Sequence, residues 1–156
     1  MGRLAGLATA DVLHAVLDTD PGRAEVRAEM EAAHQAAWVA APPRLLELAR
    51  VRIAMLLGCE AEVSARTPAA VPHVDDDTLR ALASWPSDPR FDVCDRAVLA
   101  LTEHYVMDVA SLDDATVADV RGHLGDDGLN DFISALLIVE QRIRLRLIWD
   151  RLLGGM

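Results

Sequence analysis

The sequence predicts an all-α chain folded as one domain. Apolar residues recur every three or four positions in nearly every segment. No segment alternates with period two long enough to suggest a sheet. Proline, glycine and aspartate fall at segment ends, where they start and stop helices. At 156 residues the chain is long enough for one domain with a substantial core. No internal repeat is evident.

The elements follow in order. Asp11 to Asp18 forms a short amphipathic helix. Pro21 to Trp38 forms a longer one, with Pro21 suited to a first turn after Asp20. Pro42-Pro43 breaks that helix and opens the next, Arg44 to Leu57. Gly58 ends or kinks it, which places Cys59 at the start of a following helix over Glu60 to Arg66, stopped by Pro68. Ala69 to Val74 reads as loop, and Asp75 to Ser84 as a short helix opened by aspartates that suit its positive end. Pro86 and Pro89 mark a second loop. Cys94 to Val109 is a strong helix, with Ala97, Leu101 and Tyr105 on one stripe. Asp113 to Leu124 follows, then a turn at Gly125-Asp126-Asp127-Gly128. Leu129 to Leu153 is the longest helix and carries Phe132, Leu136, Val139, Ile143 and Leu147 at helical spacing. Its basic residues, Arg142, Arg144, Arg146 and Arg151, crowd the C-terminal half, where positive charge suits the helix dipole.

Composition narrows the function. With 15 basic and 25 acidic residues the net charge is −10, which repels nucleic acid. The hydrophobic fraction of 52% and the positive mean hydropathy are high for a soluble monomer, so part of the excess is expected in a subunit interface. No apolar run approaches the ~18 residues that span a bilayer. The start, Met1 to Val16, lacks a leader's apolar core and cleavage site, so it reads as mature sequence and the protein as cytoplasmic. Two cysteines, Cys59 and Cys94, are far apart, fit no zinc spacing and are expected to stay reduced. No phosphate loop, Ser-His-Asp pattern or metal-ligand spacing appears, and the Gly125–Gly128 turn lacks the later Glu of a calcium loop. No cofactor or metal is expected.

Glu47 to Arg66 is the most informative segment: ELARVRIAMLLGCEAEVSAR. Glu62 and Arg66 lie three and seven residues after Cys59, offsets that fall on nearly one helix face. A thiol, a carboxylate and a guanidinium would then project together, with Glu47 one helix earlier.

This segment resembles the carboxymuconolactone decarboxylase family, which includes the alkylhydroperoxidase D-like proteins. The family's redox members carry a Glu and, twelve residues on, a Cys-x-x-Cys-x-x-x-His motif. Glu47 and Cys59 match the Glu and the first Cys; Glu62 replaces the second Cys, and Arg66 the His. Pro86 to Val106 resembles the family's later helix, with Thr102-Glu103 as its Thr-Glu, and Val117 to Leu153 its closing helical pair. The resemblance covers the chain after Ala41, making residues 42–156 the family core and 1–41 an N-terminal helical extension. It implies a helical bundle of the alkylhydroperoxidase D-like type that assembles as a homotrimer or homohexamer and acts on a small molecule.

The departures from the motif change the chemistry. Glu62 cannot resolve a sulfenic acid or form a disulfide. A nearby carboxylate also tends to raise a thiol pKa. Arg66 stays charged and relays no protons, whereas a His would. A disulfide peroxidase is therefore disfavoured, and Cys59 reads equally well as a small buried apolar residue. Glu62 and Arg66, four apart in the favoured order, form either a helix-stabilising ion pair or a site in which Arg66 holds an anionic group and Glu62 orients it. Glu47 lies among Leu45, Leu46, Leu48, Val51 and Ile53, so burial would raise its pKa toward neutrality and suit a general base. Its bland alternative is a pair with Arg44 or Arg50. Glu103 matches a recurrent family position; His104 is of the residue type suited to moving protons near neutral pH but inherits no role. His34 and Trp38, four apart, line a pocket mouth or pack in a core or interface.

The leading expectation is cofactor-free acid–base chemistry on a small anionic carbonyl compound: proton transfer, decarboxylation, lactone opening or isomerisation. Glu47 would be the base and Arg66 the anion holder, with Cys59, Glu62, Glu103 and His104 around them. The alternatives are a thiol peroxidase using Cys59, and a non-catalytic binding or assembly protein with a degenerate site.

Overall fold

The computed structural model describes residues 7–153; helices joined by loops make up these residues, with no strand among them. Seven α-helices follow one another: α1 (Thr9–Leu17), α2 (Pro21–Ala40), α3 (Pro43–Leu57), α4 (Glu60–Ser64), α5 (Asp76–Arg80), α6 (Val93–Met107) and α7 (Asp114–Leu153). A 3₁₀ turn, Ala81–Ser84, extends α5, and another, Val109–Ser111, follows α6. The all-α prediction therefore holds.

Local chemistry explains the boundaries. Asp20 accepts the Arg23 amide at 3.0 Å and Pro21 supplies the preset first turn of α2. Asp92 and Asp95 form a reciprocal capping box at the start of α6. α3 ends at Gly58, whose backbone is left-handed (φ 72°) and whose amide bonds back to Ala54 and Met55. Nothing lies within 4 Å of where a Cβ would stand, so the glycine serves conformation and not space. Gly58→Ala is expected to cost about 1 kcal/mol in urea unfolding, through the left-handed backbone alone.

α3 is the central element. It buries Leu45 to Val51 without interruption, and Ile53 and Ala54 as well. A helix covered on nearly every side belongs in the middle of a bundle, and α3 packs against α6 and α7. α7 also packs on α2 and α6, and presents Phe132, Leu136, Val139 and Ile143 to the core as its sequence stripe requires. α1 and α2 lean on α7, with Val12 and Leu13 fully buried.

Two boundaries differ from the sequence reading. α4 stops at Ser64 and does not reach Arg66; Ala65 is extended. Pro68 fits that stop, since its ring has no N–H to give the Ser64 carbonyl four residues earlier and would clash with it in a helix. The Ala65 carbonyl, just past the helix end, accepts from Arg50 Nη2 at 2.8 Å. The Gly125–Gly128 turn is narrower than expected: Gly125 alone departs from helical geometry (φ 74°, ψ 176°), and helix resumes at Asp126. A single left-handed residue kinks α7 where a four-residue turn was expected. No helix among the described residues is long and apolar enough to cross a membrane.

Candidate functional site

The buried heart of the chain is ionic. Glu47 is fully buried on α3, and Arg50, one turn on, is 3% exposed. Arg50 grips Glu47 in a fork, Nε to Oε2 and Nη2 to Oε1, both at 2.9 Å. Its Nη1 donates to the Glu62 carboxylate at 2.8 Å and to the Glu62 carbonyl at 2.7 Å. Its Nη2 also reaches the Ala65 carbonyl at 2.8 Å. These five hydrogen bonds match the five N–H donors of a guanidinium. Arg50 therefore ties α3 to both the interior and the end of α4.

The other groups close the cluster. Glu62 accepts from the Thr9 hydroxyl of α1. Glu47 Oε1 accepts the Thr67 amide at 3.2 Å. Arg66 stands with Nε 3.8 Å from Glu47 Oε1, donates to the Val74 carbonyl at 2.6 Å and pairs with the exposed Asp76. Its Nε is buried with no hydrogen-bond partner. Two carboxylates and two guanidiniums thus balance in charge.

Three expectations need correction. Glu62 and Arg66 do not pair: α4 ends between them, Glu62 turns to Arg50 and Thr9, and Arg66 turns to Asp76 and Val74. Cys59, Glu62 and Arg66 accordingly share no helix face. Glu47 is not raised toward neutrality. Burial pushes its carboxyl up, but the hydrogen bonds and charge of Arg50, with the Thr67 amide, outweigh burial and hold it below its ordinary 4.5. Of the two partners open to Glu47 on its own helix, Arg50 takes it; Arg44 forks onto Asp95 of α6 instead, at 2.7 and 3.1 Å.

Cys59 is 2% exposed at the start of α4. Burial pushes its thiol up; the Glu62 amide opposes this and the Glu62 carboxylate adds to it. Cys94, half-buried near the start of α6, is also pushed up, by burial and then by Asp92 and Asp95. Both thiols are free. A neutral alkylating reagent near neutral pH is expected to modify Cys94 first and Cys59 only on unfolding, read by peptide mass.

Glu103 and His104 stand apart. Glu103 accepts from Arg52 and from the Trp85 indole, both at 2.7 Å. His104 meets the Ser111 hydroxyl at 3.0 Å. Among the described residues no hydrogen bond or ion pair joins either to the Glu47 cluster. Three contributors escaped sequence reasoning: Arg50 as the hub, Thr9, and Arg146. Arg146 is 1% exposed; its Nε lies 2.9 and 3.0 Å from the Asp150 carboxylate oxygens and its Nη1 reaches the Leu7 carbonyl at 2.6 Å. A Glu-x-x-Arg pair inside a helix apolar on all sides was the available signal for Arg50, since such a pair is buried together. Among the described residues no group of His, Cys, Asp and Glu is arranged to hold a metal ion.

No protein-family model matches the chain, and no curated protein matches it either.

Proposed function

We propose that this chain is a divergent carboxymuconolactone decarboxylase-like protein of the alkylhydroperoxidase D-like type that works by binding and self-assembly. In it the segment that carries reactive thiols in the group has become a structural charge lock. The observation that carries this reading is Arg50. A catalytic cluster keeps a donor or acceptor available for substrate, whereas Arg50 spends its whole hydrogen-bonding capacity on Glu47, Glu62 and Ala65. A buried, charge-balanced set of this kind fixes which helix docks where.

Assembly draws support from the outer side of α7. Ile133, Leu137, Ile148 and Leu152 are 37–64% exposed and recur at intervals of four, eleven and four residues, which is one helical stripe. Such a stripe is costly to leave in water. The test is mass in solution across the micromolar range, together with peroxide consumption in the presence of a dithiol. The expected result is a trimer or hexamer without Cys59-dependent turnover. A monomer at every concentration, or peroxide consumption abolished by Cys59→Ser, overturns the proposal.

Arg66 favours a second reading, acid–base chemistry on a small anion. Its Nε is an unused buried donor beside Glu47, and its partner Asp76 is a surface residue that an anion would displace. Glu47 would then be a carboxylate ionised well below neutrality. On this reading turnover of a carbonyl acid is lost in Arg66→Met and Glu47→Gln; full turnover in either removes it.

A further inference from the structure

Beyond the kink at Gly125, α7 runs unbroken to Leu153. Its inner side fills the core, and its outer side carries the exposed Ile133, Leu137, Ile148 and Leu152. At 3.6 residues per turn these four fall within roughly one hundred degrees of arc. Their spacing reads the same from either end, four residues, then eleven, then four, about a centre midway between residues 142 and 143. A face patterned in this way complements itself when a second copy runs antiparallel about a twofold axis at that centre. Ile133 then meets Leu152 of the partner subunit, and Leu137 meets Ile148 of the partner subunit. The stripe leans along the i, i+4 rows, which interdigitate when two helices cross in the commonest class of packing.

The charges on this face complement each other in the same arrangement. Glu140 and Arg144 pair at 2.7 Å within one chain. In the antiparallel register Glu140 comes level, within one residue, with Arg144 of the partner subunit. Two carboxylates and two guanidiniums then alternate across the axis, and Arg144, with a side chain 43% exposed, is open to a second carboxylate. The ends agree. Asp127 and Asp131 are exposed near the start of this segment and Arg151 near its finish, and among the described residues none of the three has an ion pair. Asp126 is already answered by Arg121. Antiparallel packing sets the acidic end of one helix beside the basic end of the other, whereas parallel packing sets like charge beside like.

We propose that the outer face of α7 is a twofold seam on which a second copy of this chain packs its own α7 antiparallel, centred between residues 142 and 143. The seam rests on the self-assembly reading above and deepens it. Chains joined in pairs assemble in even numbers, so of the trimer and the hexamer it selects the hexamer.

Cross-linking by a short bismaleimide in a Cys94→Ser background reads the register, and mass in solution reads assembly separately. Gln141→Cys, beside the axis, should link to its own copy and give a covalent dimer. Ile133→Cys and Leu152→Cys should link to each other when the two chains are co-expressed, and neither should link to itself. Leu137→Asp should halve the assembled mass while the helical circular dichroism is unchanged. Assembly without these links overturns the seam and leaves self-assembly standing, as does a self-link of Ile133→Cys or a mass that Leu137→Asp leaves intact. A monomer at every concentration overturns both.

Discussion

Arg50→Met is expected to destabilise the protein by about 3–5 kcal/mol, the usual cost of removing one partner from a buried ionic set. The substitution keeps an unbranched apolar stem, shorter by the guanidinium head, but strips five hydrogen bonds. Glu47 and Glu62 are then left buried with only Arg66 beside them, 3.8 Å from Glu47 Oε1 and shared with Asp76. At roughly 2–4 °C per kcal/mol for a chain of this size, the melting temperature should fall by about 6–20 °C. Arg50→Lys should fall between, because an ammonium has three donors and cannot span both carboxylates and the Ala65 carbonyl. Arg52→Met is the control. Its pair with Glu103 is partly open to solvent and should be worth about 1 kcal/mol or less. Replacing Glu47, Arg50 and Glu62 together by apolar residues should recover much of the loss, because a lock is a matter of balance and not of charge for its own sake. A lossless Arg50→Met in urea unfolding at fixed protein concentration would sink the lock reading.

The helices were readable because their signals are local. Pro21 after Asp20, Gly58 in a left-handed cap, and the Phe132–Leu136–Val139–Ile143 stripe each act over a turn or two, and each does in the fold what the spacing says. The cluster was only half readable because its partners are distant. Glu47 was marked by being acidic in an apolar helix, and that mark also identified a buried group. Which cation answers it depends on how α4 docks, and α4 is only five residues long. The helical-face argument that joined Cys59, Glu62 and Arg66 assumed a helix through Arg66. The helix ends at Ser64, Arg50 holds the Ala65 carbonyl beyond it, and Arg66 turns to Val74 and Asp76. Thr9 was invisible for the same reason, since its partner Glu62 lies 53 residues away; Arg146 has a local partner in Asp150 but also reaches the Leu7 carbonyl 139 residues away. The acidity of Glu47 was misjudged because burial and pairing act in opposite directions, and only the second depends on a neighbour's geometry.

Glu47→Gln is expected to lose about 3 kcal/mol near neutral pH, and the loss should shrink in acid. The amide keeps the size of the side chain and offers one oxygen to the Arg50 fork. Its NH₂ then faces the other Arg50 donor, so one arm of the fork opposes a donor with a donor. The pH dependence follows from the direction of the shift. In the folded chain the Glu47 carboxyl sits below its ordinary 4.5, so the unfolded chain takes up the proton first as pH falls. The stabilisation from ionised Glu47 is therefore complete above about 4.5 and fades as pH drops through the folded value. Wild type and variant should run parallel between neutrality and about pH 5, then converge below 4.5, in urea midpoints measured at matched ionic strength. Curves that stay parallel into acid would mean that the carboxylate is not held by Arg50. The same titration bears on chemistry. If Glu47 abstracts a proton from any substrate, the acid limb of the rate profile must lie below 4.5 and not near neutrality. A limb near neutrality would assign the base to a group other than Glu47.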